Sequence, residues 1–411
     1  MLSNSIGYLA SLSETDLETF DLEGFINSLR SGIYVVTKKQ ERLCCMIMRL
    51  LASIAWIYCC PPFPACIANK MAFAPPKPAL YSIERTTDEK NRKRLQLVLC
   101  PAVVKIWRLE VENPFEFLAR STVYSMKASN GKQVICLHTR NSRRQPSPYT
   151  ILYSQGNASD IGWILFEIQE IAESLNLDIL CYDYMGYGCS EGKPSEANLC
   201  RSADAAMQCL LEEVKVDVSK IILWGMSLGT VGTTHLGSKH KVAGVILQSS
   251  FLSSYRYCWP KLKWDLCFDS FCNYKRVRKI TSPTLILHGK MDQMFSVEHA
   301  YVMAKECPGS GPPVIIAGAD HDSLHTKYYF WLAVEQFLAK HMGVYPVCEL
   351  NDKSLSQSSF LMNKFSMSEA DFDEEEYPMF SSTQPLRFPP TDGQTKKGKK
   401  AAQNINNNSK H

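Results

Sequence analysis

Between about residues 100 and 342 the chain alternates short, β-rich apolar runs with longer stretches of helical periodicity. The runs fall at Gln133–Thr139, Thr150–Ser154, Asp178–Tyr184, Lys220–Gly225, Val242–Gln248, Thr284–His288 and Pro313–Ile316. Ile151-Leu152-Tyr153, Ile221-Ile222-Leu223-Trp224 and Val245-Ile246-Leu247 are apolar without interruption, as strands covered by helices on both faces must be. Strand and helix signals in alternation predict βαβ units, and so an α/β fold with a mostly parallel sheet. Outside this body the pattern changes three times. Residues 1–42 are polar and partly acidic and read as a disordered extension; residues 43–80 are apolar and rich in cysteine; residues 343–411 form a Ser-, Pro- and Asn-containing tail with an acidic run, too polar to offset its ordering entropy.

Composition narrows the classes of function. The net charge of +4 on 411 residues is too small to suggest nucleic acid as a partner. Several of the sixteen cysteines, Cys136, Cys181 and Cys209 among them, fall in predicted core elements without evident partners, which points to free thiols in a reducing compartment. The first apolar run begins only at Leu43, so no signal peptide is expected at the start.

One motif carries chemistry. Gly225-Met226-Ser227-Leu228-Gly229 follows the apolar strand ending at Trp224 and precedes a helical stretch, the context of a nucleophile elbow. A serine hydroxyl needs a base, and the base an orienting carboxylate, in the chain order Ser, Asp or Glu, His. Of the later histidines, His288 ends a strand, His299 sits on a predicted helix, and His321 follows the last strand in a loop from which it could reach back; His325 is the fallback. Asp292 leaves the strand before it at the carboxyl edge of the sheet, although the same residue could simply cap the next helix. Asp320 and Asp322 lie too near the base in sequence to hold its ring. The expected oxyanion donors are the backbone N–H of Leu228 and one from Asn157, in the loop Ser154 to Asp160, where Ser159 or Asp160 could also cap the following helix. No metal or other cofactor is called for. The aromatic stretch 251–280 (Tyr255, Tyr257, Trp259, Trp264, Phe268, Phe271) reads as a short cap over the site.

Tyr182-Asp183-Tyr184-Met185-Gly186-Tyr187-Gly188-Cys189-Ser190-Glu191-Gly192-Lys193-Pro194 resembles a signature of the α/β-hydrolase domain-containing protein 17 family. The resemblance extends to Gln155–Asp160, to Ser227, to Ile280 through Asp292, to His321 and to Cys59–Phe73, covering roughly residues 59–340. It implies an α/β-hydrolase that removes palmitate from cysteines of membrane-associated proteins and is itself held by palmitoylated N-terminal cysteines at the cytoplasmic face of the cell or endosomal membrane. Mapped onto this chain, the acylation candidates are Cys44, Cys45, Cys59, Cys60 and Cys66. The chain departs from the family at Gln155, where the family has His. Lipid ester or peptide hydrolysis by the same three residues is the competing enzymatic reading, and a membrane-tethered scaffold of weakened activity the non-enzymatic one. Leu43–Cys60 is at the short limit for a membrane span. Arg49 near its middle would cost about 2.5–3.5 kcal/mol on insertion, and it shares a helical face with Arg42 and Ser53, so an interfacial helix is expected.

Overall fold

The computed structural model describes residues 72–87, 93–110, 114–141, 147–257, 260–261 and 269–344. Cys44, Cys45, Cys59, Cys60 and Cys66, the segment Leu43–Cys60, the tail, and Trp259, Trp264 and Phe268 of the cap lie outside them. Among the described residues there are ten strands: β1 (Tyr81–Thr87), β2 (Lys93–Leu99), β3 (Ser121–Lys127), β4 (Gln133–Thr139), β5 (Thr150–Ser154), β6 (Asp178–Tyr182), β7 (Ile221–Met226), β8 (Gly244–Gln248), β9 (Thr284–Gly289) and β10 (Val314–Ile316). The helices are α1 (Pro101–Glu110), α2 (Pro114–Ala119), α3 (Ile161–Leu175), α4 (Glu196–Gln208), α5 (Thr230–Gly237), α6 (Asn273–Val277), α7 (Glu298–Glu306) and α8 (Tyr328–Met342).

β1 and β2 form an antiparallel hairpin; the other eight strands form one sheet in the order β10-β9-β8-β7-β5-β6-β4-β3. Pairing is parallel from β10 through β6 and antiparallel for β4 and β3. This is the mostly parallel α/β sheet that the apolar runs predict, in the α/β-hydrolase arrangement that the resemblance implies. All five residues of β5 and of β8 are buried, because helices cover both faces and leave the central strands no polar side. One core layer lies between the sheet and α3 and α8, with Trp224, Trp331, Phe330 and Phe337 in it. The other lies under α4 and α5, with Tyr182, Leu199, Leu223 and Val231.

The topology also locates the site. From β5 the chain moves outward to β6 and then returns across β5 to β7, so the winding direction reverses between β5 and β7. Loops leaving the carboxyl ends of two such strands part and open a crevice. The loops in question are Gln155–Asp160, after β5, and Ser227 with its neighbours, after β7.

The body starts earlier than residue 100. Leu80 donates its N–H to Asp160 Oδ2 at 2.8 Å, and the Tyr81 hydroxyl donates to Asp183 Oδ2 at 2.5 Å, tying the segment from Ala72 onward to the sheet. The expected boundary missed this because β1 has no apolar run and β2 opens on Lys93 and Arg94, with an apolar run only at Leu97–Leu99. The eight described cysteines are all free thiols. Among the described residues no helix is long and apolar enough to cross a membrane.

Candidate active site

Ser227 sits where β7 turns into a short 3-10 segment leading to α5, with φ at +50°. A non-glycine residue pays for that conformation, and it survives only where its surroundings fix it. Here they do: a Cβ on Gly225 would lie 2.2 Å from Thr233 Oγ1, and one on Gly229 would lie 2.0 Å from the Ser154 carbonyl. The two glycines of the motif are therefore demanded by close packing of the turn against α5 and β5.

The Ser227 hydroxyl lies 2.9 Å from His321 Nε2, and His321 Nδ1 lies 2.8 Å from Asp292 Oδ2. These partners assign the proton to Nδ1, leaving Nε2 to accept from the serine. The second oxygen of Asp292 accepts from the N–H groups of Met294 and Phe295, both at 2.8 Å. The same carboxylate thus closes its own loop and orients the imidazole; it does not cap α7, whose N-cap is Val297 with no side-chain bond. Burial alone would raise the Asp292 carboxyl; the His321 hydrogen bond, the Phe295 N–H and the nearby rings of His321 and His288 outweigh it and hold the group below its ordinary value. The Ser249 hydroxyl donates to the His321 carbonyl at 3.2 Å, fixing the loop that carries the ring.

Other candidates fall away from this chain. Asp320 accepts from Asp322 N–H, Ser323 N–H and the Ser323 hydroxyl in a local turn, and Asp322 is exposed. His325 offers its carbonyl to the Trp331 indole. His299 accepts from Leu252 N–H and packs its ring on Phe295.

His288 has a part that its position at a strand end concealed. It is fully buried, donates Nε2–H to the Phe295 carbonyl at 2.8 Å and lies 3.4 Å from Asp292 Oδ2. Burial lowers its basicity, so it is a neutral donor under the Asp292 loop. The signal available in the sequence was its spacing of four residues from Asp292.

Leu228 follows Ser227 and begins the turn into α5, so its N–H is presented at the elbow as the motif requires. The side chain of Asn157 holds the incoming segment. Its Nδ2 donates to the Ala72 carbonyl at 2.8 Å, while Oδ1 accepts from Ala74 N–H at 3.0 Å and from the Tyr187 hydroxyl at 2.6 Å. The amide is therefore committed to the incoming chain, and only the backbone N–H of Asn157 is left to face an oxyanion. The capping expectation holds alongside: Asp160 caps α3 by accepting from Trp163 N–H.

Beneath this loop lies a fully buried carboxylate that the motif reading passed over. Asp183 accepts from the Tyr81 hydroxyl, from Gln155 Nε2 at 2.9 Å and from Ile161 N–H at 3.0 Å. Gln155 also donates to the Ser159 carbonyl, and its own carbonyl accepts from the Tyr184 hydroxyl. Burial pushes the Asp183 carboxyl up to about 7, with Tyr81, Gln155 and Ile161 pulling against it and Asp160 adding to it. An Asp ending an otherwise apolar strand, Ile179 to Tyr182, was the available clue.

The described part of the cap is aromatic toward the site. Phe295 lies 5.2 Å from the His321 ring and stacks on Phe251 at 5.1 Å; Phe251 meets Phe271 at 6.4 Å, and Phe271 meets Phe73 at 5.7 Å. Phe271 is buried, and Arg256, also buried, pairs with Asp269 at 3.2 Å and lies over Tyr274. A large open cleft lined by Arg120, His138, Arg140, Asp178 and Lys220 lies at the opposite, amino-terminal ends of the strands and includes none of the three linked residues.

Comparison with known proteins agrees with this architecture. Residues 137–245 match a family model described as Chlamydia CHLPS protein (DUF818). The chain is 33% identical over 298 residues to α/β-hydrolase domain-containing protein 17C of Xenopus tropicalis, covering 71% of this chain and 95% of that protein. The mouse protein of the same name is 32% identical over 308 residues, with the same coverage. Among solved structures, the Pyrococcus furiosus esterase Pf2001 is similar with a TM-score of 0.46 and 16% identity, over 56% of this chain and 94% of that one. At one third identity across nearly the whole length of such relatives, the chain belongs to the α/β-hydrolase domain-containing protein 17 family.

Proposed function

We propose that the protein is a serine hydrolase working through an acyl-enzyme, and that its substrates are palmitoyl thioesters on cysteines of membrane-associated proteins. The observation that carries the hydrolase chemistry is the continuous hydrogen-bonded chain Ser227–His321–Asp292 at the sheet's switch point. Ser227 Oγ attacks the thioester carbonyl while its proton passes to His321 Nε2. The oxyanion is met by the N–H of Leu228 and that of Asn157. Collapse of the tetrahedral intermediate breaks the C–S bond, and the cysteine thiol leaves with the proton from His321. Water then gives a proton to His321 and attacks the acyl-serine; the fatty acid departs and the proton returns to Ser227 Oγ.

The substrate class is supported by the family resemblance and by the aromatic series Phe295, Phe251, Phe271 and Phe73 beside the His321 ring, an apolar wall suited to an alkyl chain. Gln155 does not by itself argue for an inactive scaffold, since it bonds Asp183 and Ser159 and so holds the loop. Acylation of Cys44, Cys45, Cys59, Cys60 and Cys66 would keep the enzyme peripheral on the cytoplasmic face of the cell or endosomal membrane, because two or more chains give stable anchoring where one does not.

The test compares wild type with Ser227→Ala on a palmitoylated peptide, a monoacylglycerol and an unacylated peptide of the same sequence. Ser227-dependent release of palmitate, fastest from the thioester, is expected. Ser227-dependent hydrolysis of the glyceride or of the peptide bond alone would replace the thioesterase reading with one of its competitors.

A further inference from the structure

Among the described residues six large apolar side chains are exposed, Trp163, Phe166, Tyr257, Met291, Met294 and Tyr301, with between 39% and 61% of their surface open. They are not scattered. Met291 and Met294 belong to the loop of Asp292, and Met291 donates its N–H to Ala319 in the loop of His321. Tyr257 sets its ring edge-on to Phe295 at 5.7 Å, and Phe295 in turn touches His321. Tyr301 lies on α7, whose first turn places His299 against the same Phe295. Trp163 and Phe166 lie in the opening turns of α3, whose N-cap Asp160 ends the loop of Asn157. All six therefore sit on elements meeting at the carboxyl edge of the sheet, around Ser227. The opposite edge carries Arg120, Arg140, Asp178 and Lys220.

The second observation is where the chain enters. Ala72 and Ala74 are bonded to Asn157, on the same edge as Ser227. Cys66 precedes Ala72 by six residues, which fully extended span at most about 20 Å. An acyl group on Cys66 would thus be tethered within about 20 Å of Ala72, which is bonded to the oxyanion loop.

We infer that the carboxyl edge is itself a bilayer-docking face: the six-residue apolar rim inserts among phospholipid headgroups and sets the opening over Ser227 against the membrane. Single exposed apolar residues are ordinary, whereas a set concentrated on one edge and mixing Trp and Tyr with Met suits an interface that is apolar below and wet above. The geometry would let an acyl chain move from the bilayer to the aromatic wall without crossing water. This inference rests on the proposed anchoring for its orientation and not on the chemistry at Ser227.

The full chain is mixed with phosphatidylcholine/phosphatidylserine vesicles and followed by pelleting and by amide hydrogen exchange. Slower exchange is expected on vesicles in peptides covering residues 161–168 and 290–301, with none in peptides covering 121–127 and 215–220. Replacing Trp163, Phe166 and Tyr301 together by Ser should lower partition onto vesicles by about fivefold or more, while turnover of a water-soluble short-chain ester stays near wild type. Failure to pellet, protection at the opposite edge, an unchanged partition of the triple variant, or rim protection without vesicles through self-association or a protein partner would each overturn the inference. Ser227→Ala should pellet like wild type. Rim protection in a protein that releases no palmitate would sink the thioesterase reading and leave the docking face standing.

Discussion

Replacement of Asp183 by Asn should flatten a specific part of the protein's stability profile against pH. Asp183 is fully buried, and burial raises its carboxyl from an ordinary 3.8 to about 7. The folded state therefore binds a proton that the unfolded chain has already released, so stability from this group is fully present below pH 3.8 and is lost as pH rises through about 7. The separation between 3.8 and about 7 is worth about 4 kcal/mol in total. Most of it falls between pH 5 and 8, where the loss is about 3 kcal/mol. Asn cannot titrate, so the variant lacks this contribution. Its absolute stability is expected to be lower at pH 5, because the hydrogen bonds from Tyr81, Gln155 and Ile161 to a carboxyl are weakened. The gap to wild type should then move by about 3 kcal/mol in favour of the variant from pH 5 to pH 8. For a body of this size that is about 5–10 °C in the relative melting temperature, readable by differential scanning fluorimetry. Parallel curves for the two proteins over this range would refute the argument and place the Asp183 proton equilibrium outside the window.

Three further outcomes follow from the same contacts. Asp292→Asn leaves the local turn with an acceptor but no longer favours the Nδ1–H tautomer of His321, so turnover should fall by about 10³–10⁴ with the fold retained, as read by steady-state kinetics and circular dichroism. His288→Leu removes the donor to the Phe295 carbonyl beneath the Asp292 loop; about 1–3 kcal/mol of stability should go, with kcat falling more than KM rises, and an unchanged kcat would show that His288 only fills space. Replacing Cys44, Cys45, Cys59, Cys60 and Cys66 together by Ser should move the protein from the membrane to the soluble fraction of cells, and unchanged retention would rule out acylation as the anchor.

The parts of the structure that could be read from sequence are those where one physical demand dominates. Burial on both faces made β5, β7 and β8 continuous apolar runs, and their observed bounds differ from the expected ones by at most two residues. The elbow was legible because its glycines answer to local packing, and Asp292 and His321 because chain order and sheet edge restrict the choice. What escaped depends on partners distant in the chain. β3 (Ser121–Lys127) is a half-exposed edge strand with no apolar run, and the β1–β2 hairpin carries charged residues on strands that pair mainly with each other. Asp183 is held by Tyr81, 102 residues away, and the Asn157 amide by Ala72, 85 residues away. Neither contact leaves a periodicity, and both gather around the loop that carries Gln155. The one trace of the role of His288 in the sequence is its spacing of four residues from Asp292, which is too weak to separate a donor beneath that loop from a buried ring.

The central claim, that Ser227 is a nucleophile activated by His321, is tested most directly by a fluorophosphonate probe and intact-protein mass spectrometry. The account predicts one adduct per chain, mapped to Ser227, absent in Ser227→Ala and formed far more slowly in His321→Ala. An adduct that persists in Ser227→Ala, or folded wild-type protein that takes up no probe, would contradict it.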